Sequence, residues 1–210
     1  MKAFVKSGLG LLGLALFSGP AGAADIMSEW AGVKAPPPPK LEDVTVDPKT
    51  TALLLLDFNL PICDPVARPR CKESLPALAK LLAAARAKNM MVVYSLGAGR
   101  PATDIVPELK PLGTEPVFSA GSDKFYGTEL EKTLKDKGIQ TLIVNGVAAN
   151  GAALFTATAA VRRNFAVIAP VDGQSSDTAY AEQFAIWEMA NSPGQVGKIK
   201  ITKTDMIKFD

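Results

Sequence analysis

Histidine is missing from all 210 residues of this chain. That excludes every mechanism needing an imidazole, from nucleophile activation by a neighbouring ring to zinc sites with histidine ligands. Cysteine is nearly as scarce, with Cys63 and Cys71 the only two. A metal site would therefore have to be completed by carboxylates alone. An excess of basic charge is also lacking. Once the first 23 residues, which hold Lys2 and Lys6, are set aside, 21 basic residues stand against 21 acidic ones. A neutral chain without basic clusters argues against a nucleic-acid partner, because such binding needs phosphates neutralised by Lys and Arg. Beyond the N-terminus no apolar run reaches the roughly 20 residues that span a bilayer.

What is present begins with a leader. Lys2 and Lys6 precede an apolar run from Ser7 to Phe17, Pro20 breaks it, and Ala21-Gly22-Ala23 offers small residues at a cleavage point. Residues 1–23 thus read as a secretory signal peptide, which predicts export to a bacterial periplasm or the exterior and no membrane attachment afterwards. Residues 24–49 form an N-terminal segment: a short amphipathic piece, Asp25 to Val33, and then Ala35 followed by four prolines. The proline run reads as an extended spacer, with a ligand for a proline-recognising domain as its alternative.

Residues 50–210 read as one domain with a sizeable core. Continuous apolar runs at 51–57, 90–95, 116–120, 141–146, 165–170 and 198–202 predict buried strands. Amphipathic stretches at 73–88, 128–137, 151–163 and 178–191 predict helices between them. Strands alternating with helices through short loops predict an α/β three-layer sandwich, a mainly parallel sheet with helices on both faces. In such a sheet the ligand crevice lies beyond the carboxyl ends of the strands, where Asp57, Asn145 to Val147 and Asp172 fall.

Asp57 ends a run of four leucines, so its carboxylate is expected to be partly desolvated and suited to proton transfer. Accepting hydrogen bonds from loop amides is the other role open to it. The stretch from Val144 through Gly146 to Ala157 runs from a strand through a glycine turn into a helix of small residues. Amides at that helix start can hold an anion or oxyanion, and small residues also simply permit close packing. Cys63 and Cys71 read as a disulfide in an oxidising compartment. A reactive thiol pair is the rival, although the spacing is not that of a redox C-x-x-C motif.

TALLLLDFN, FYGTEL and the run from Gly146-Val147-Ala148 to Thr156-Ala157 stand in an order that resembles the isochorismatase-like cysteine hydrolases, from about Thr50 to Ala190. That family includes isochorismatases, nicotinamidases and N-carbamoyl amidohydrolases. The resemblance implies a cis peptide between Val147 and Ala148, and a ligand lined by Asn59, Phe125, Val147, Ala148 and Gly151. Its amidases use an Asp, a Lys and a nucleophilic Cys. Asp57 matches the Asp, and the nucleophile position falls on Ala152, where no acyl-enzyme can form. The family lysine lies upstream of the position of Phe125, near Ser119 or Ala120. Lys124 is the nearest lysine here, and a solvated surface position is the first expectation for it, with reach into the site from a remodelled loop the second. The metal ligands of nicotinamidases cannot be present without histidine, and neither metal nor cofactor is expected. Isochorismatases proper also lack the Cys and hydrolyse a vinyl ether by proton donation from the Asp. Two functions follow from the resemblance: a hydrolase of a small organic molecule that uses Asp57 without a covalent intermediate, or an inactive relative that binds a small ligand or a protein. The resemblance also implies a homo-oligomer, and Tyr180, Phe184 and Trp187 suit an interface as well as a core.

Overall fold

A computed structural model describes residues 25–210; the signal peptide expected over residues 1–23 lies outside them. Among them, residues 25–37 and residues 38–210 belong to two separate compact units. In the first unit, α1 (Ile26–Glu29) is capped by Asp25, whose carboxylate accepts from the Met27 and Ser28 amides. A 3-10 turn, Trp30–Gly32, follows.

In the second unit the elements run β1 (Val44–Val46), β2 (Thr51–Leu56), α2 (Pro69–Ala87), β3 (Met91–Gly97), β4 (Val117–Ala120), α3 (Leu130–Asp136), β5 (Thr141–Val147), α4 (Leu154–Arg162), β6 (Ala166–Pro170), β7 (Gln174–Ser175), α5 (Ala179–Asn191), β8 (Ile199–Thr202) and β9 (Ile207–Phe209). The main sheet has the order β4-β3-β2-β5-β6-β8, with β7 added beside the far end of β5. Every pairing in it is parallel. This is the α/β sandwich expected from the strand–helix alternation.

Alternation along β2 divides the core. Leu53 and Leu55 pack on the face covered by α2, with Leu75, Leu78 and Leu82. Leu54 and Leu56 pack on the opposite face with Leu130, Ala157 and Ile186 from α3, α4 and α5. A strand buried on both faces has no room for polar alternation, hence its unbroken leucines. The α3 helix stops at Gly138, whose φ of 70° suits a glycine C-cap, and the Ile139 amide returns to the Leu134 carbonyl.

Three elements differ from the sequence reading. The compact unit starts before Thr50, because β1 pairs with β9 and the Glu42 amide donates to Ile201 on β8. Strands of three residues carry too little pattern to be read locally. Helix α2 reaches back to Pro69, a first-turn position where a proline's missing N–H costs no intrahelical bond. Cys71 therefore sits on a helix rather than in a loop. The helix expected over 151–163 opens instead with a π-helical turn, Ala149–Ala153, kinked at Gly151.

Candidate functional site

The register of the central strands assembles the site. Leu56 pairs with Ser95 on one side and Gly146 on the other. Asp57 just past β2, Ser95 near the end of β3 and Val147 at the end of β5 are thereby brought to the same end of the sheet. Asp57 turns the chain off β2 with φ of 64°, a left-handed conformation that Asp tolerates better than most residues. Its amide donates to the Ser95 carbonyl at 3.0 Å. The Ser95 hydroxyl donates to Asp57 Oδ1 at 3.1 Å. Lys124 Nζ donates to the other oxygen, Oδ2, at 2.8 Å and to the Ala120 carbonyl at 3.2 Å.

Lys124 is thus not a surface residue: it is 0% exposed, and Asp57 is 8% exposed. The loop after β4 delivers it, and the reason lies in its backbone. The Lys124 amide donates to Thr156 Oγ1, whose own hydroxyl donates to the Ser122 carbonyl. The Thr128 hydroxyl donates to the Lys124 carbonyl at 2.6 Å. Two threonines, one on α4 and one ahead of α3, so hold both sides of the residue while its neighbour Phe125 is drawn into the core. Each charge supplies the partner that the burial of the other demands, for an unpaired ion at this depth would be strongly destabilising.

Around the pair, Gly146 lets the following turn approach the sheet. A Cβ on it would lie 3.1 Å from both Ala153 Cβ and Leu56 Cβ. The peptide between Val147 and Ala148 is cis, as the resemblance implied. Ala152 is buried on this turn, in the same apolar cluster as Leu56 and Phe125. Its methyl offers neither a thiol nor a hydroxyl.

The residues expected to line a ligand divide into two groups. Val147, Ala148 and Gly151 lie on the turn at the sheet's edge. Asn59 and Phe125 are buried and make framework contacts. Asn59 is fully buried, its amide donating to the Asp57 carbonyl and accepting from the Ile62 amide, so it shapes the loop after β2. The Phe125 ring stacks on Phe165 at 5.9 Å, with the Arg163 guanidinium 4.8 Å above it. It anchors the loop that carries Lys124. Cys63 and Cys71 are disulfide-bonded, with Cα atoms 5.1 Å apart. Among the described residues no group of three His, Cys, Asp or Glu could hold a metal ion.

Ser95, Thr128 and Thr156 were not singled out as site residues from the sequence. Ser95 had a signal, since it ends the strand read over 90–95 and so comes level with the end of β2. The threonine contacts had none, because they depend on where the loop between β4 and α3 folds.

A second polar chain runs beside the site. Arg68 pairs with Asp177 and Arg70 with Glu182. Glu182 also accepts the Ser176 amide, and the Ser176 hydroxyl donates to Asn150 Oδ1 at 2.8 Å. The disulfide-bearing segment is so connected to the turn that carries Ala152.

The model of the isochorismatase domain matches residues 51–201. The chain belongs to the isochorismatase family. Solved structures of similar fold include an isochorismatase family protein from Desulfovibrio vulgaris subsp. vulgaris str. Hildenborough, at 24% identity and TM-score 0.67, over 75% of this chain and 95% of that one. A cysteine hydrolase from Pseudomonas syringae pv. phaseolicola 1448A aligns at 21% identity and TM-score 0.68, over 80% and 94%. N-carbamoylsarcosine amidase from Thermoplasma acidophilum aligns at 20% identity and TM-score 0.64, over 74% and 97%. Comparison of the sequence with curated proteins finds no match. The family accounts for the order of the quoted motifs.

Proposed function

We propose that this member of the isochorismatase family is an exported hydrolase of a small organic molecule that works without a covalent enzyme intermediate. The observation that carries the reading is the buried contact between Lys124 Nζ and Asp57 Oδ2. Lys124 and Ser95 both donate to the carboxylate, one to each oxygen, so the group stands in this geometry as an acceptor. Asp57 then acts as general base on a water, which attacks the substrate in place of the thiol that Ala152 lacks. Lys124 stabilises the negative charge that develops as the bond to water forms. An ammonium has three N–H donors, of which Asp57 and Ala120 engage two. The general-acid role that vinyl-ether hydrolysis asks of the Asp is the less suited to this geometry. Export is supported by the disulfide, and no helix among the described residues is long and apolar enough to cross a membrane.

A second reading rests on Ala152 and on the depth of the pair: the fold holds a small anionic or polar ligand and no longer turns it over. One experiment separates the two. The mature protein is screened against small amides, N-carbamoyl compounds and vinyl ethers, with Asp57→Asn as control. Asn keeps the side-chain shape and tolerates the left-handed backbone at position 57. The hydrolase reading expects turnover that Asp57→Asn abolishes; full turnover in that variant refutes it. Saturable binding without product, by calorimetry on the same panel, supports the second reading.

A further inference from the structure

At the end of the sheet where the strands begin, a cavity of about 460 Å³ opens between β1 and the face of the main sheet that also carries α2. Its floor follows from the strand register. Thr51 pairs with Thr141 and Thr141 with Ala166, so the two threonines stand side by side at the starts of β2 and β5. Alternation along β2 puts Thr51 on the same face as Leu53 and Leu55. Further across, Ile168 on β6 pairs with Lys200 on β8. Ile199 and Ile201 point into the cluster on the opposite face, so Lys200 points to this one. Lys198, just ahead of β8, lines the cavity with it, and Val44, Val46 and Ile168 supply apolar wall.

Two sets of polar groups in this cavity lack a partner. Thr51 is only 1% exposed, and its hydroxyl makes no hydrogen bond to any described residue. Buried hydroxyls are seldom left in that state. Among the described residues neither Lys198 nor Lys200 has an ion-pair partner. Asp47 is the one carboxylate in the lining, and its Oδ1 accepts the Lys49 amide within its own turn. Two ammonium groups against one carboxylate leave a surplus of a single positive charge.

We infer that the cavity is a binding site for a small organic carboxylate with a hydrogen-bonding group at its far end. The surplus matches one carboxylate, whereas a phosphate monoester carries close to two negative charges. Ammonium donors from Lys198 and Lys200 hold the carboxylate in charge-assisted hydrogen bonds. The apolar middle of the ligand lies against Val44, Val46 and Ile168, and its far end meets the Thr51 and Thr141 hydroxyls. Strands β2 and β8 are three places apart in the sheet, about 14 Å at ~4.8 Å per strand. The lysine side chains cover part of that span, which leaves a length suited to one ring or a short chain. The volume also falls within the roughly 300–1,000 Å³ of small-molecule sites. Since β2 is six residues long, at about 3.3 Å per residue the site stands roughly 20 Å from Asp57. It is a second site and rests on no reading of the reaction at the first.

The test is a titration of the mature protein with para-hydroxyphenylacetate and with omega-hydroxyhexanoate, followed by amide NMR. Saturable binding of at least one is expected, with a Kd of about 1 mM or tighter, and with shifts centred on Thr51, Thr141, Ala166 and Lys200. The alcohol that replaces the carboxylate of the bound probe should bind at least about 10-fold more weakly, and so should the probe itself to the double variant Lys198→Gln, Lys200→Gln. Both lysines are exposed, so circular dichroism of that variant should match wild type. Thr51→Val, which keeps the side-chain shape, should weaken binding by about 3- to 10-fold. The inference is overturned if neither probe saturates by about 10 mM or if the shifts centre on Val147–Gly151. Undiminished binding to the double lysine variant overturns it as well.

Discussion

Replacing Lys124 by methionine tests the core of the site by a route that needs no substrate. Methionine keeps most of the apolar length of the lysine and removes its charge. Asp57 is then left buried beside Ser95 with no cation. Breaking a buried pair in this way costs about 3–5 kcal/mol, mostly from the charge that remains. Asp57 retains a little access to water, with 11% of its side chain exposed, which places the expected loss at the lower end, about 3 kcal/mol. In a chain of this size each kcal/mol moves the melting temperature by about 2–4 °C, so Lys124→Met should melt roughly 6–12 °C lower. Adding Asp57→Asn removes the stranded charge and should recover most of that loss. The two substitutions are then non-additive by about 2 kcal/mol or more. Urea denaturation of the four proteins measures the coupling directly. A Lys124→Met protein within about 0.5 kcal/mol of wild type would mean that the ammonium is solvated, and the argument for a working ion pair would fall with it.

Two further outcomes are expected. Reduction of the Cys63–Cys71 bridge, which closes a sequence separation of 8, should cost about 2–3 kcal/mol; non-reduced digests of protein from the oxidising compartment should contain the linked peptides, and free thiols there would refute the pairing. Burial, with the Glu115 carboxylate adding to it, raises the Tyr94 phenol well above its ordinary value. A raised folded value means a stabilisation fully present below about pH 10, the unfolded value, and lost as pH rises above it. The stability of wild type should therefore fall more steeply above pH 10 than that of Tyr94→Phe, and equal slopes in the two proteins would exclude the effect.

How much of this could be read from the chain alone varies with the range of the interaction. The strands and helices of the sandwich were legible because each carries its own periodicity: four leucines in β2, and Leu75, Leu78 and Leu82 on α2. Asp57 was legible because a carboxylate at the end of such a run has few places to be. Lys124 was not, since its direction is decided by Thr156, on α4, and by the seat of Phe125 against Phe165. Nothing local to Ser122–Phe125 distinguishes an inward lysine from a solvated one. Asn59 and Phe125, named from the motifs alone, also make framework contacts that carry no local signal. A motif can mark residues that build the frame of a site as readily as those that touch its contents. Strands β1 and β9 pair across most of the sequence, and so short a ladder is visible only once both ends of the chain are in place.

The ion pairs Arg68–Asp177 and Arg70–Glu182 give the disulfide a mechanical role beyond shortening a loop. Cys63 and Cys71 fix one abutment, the arginines beside Cys71 reach across to the start of α5, and Ser176 passes the connection to Asn150 on the turn that holds Ala152. The segment that carries the disulfide and the turn 149–153 are in this way tied to one another through side chains as well as through the sheet. Movement of either segment strains the same few bonds, so a shift of one is felt at the other. Salt, by screening the exposed arginine pairs, loosens that tie without reaching the buried contact between Lys124 and Asp57.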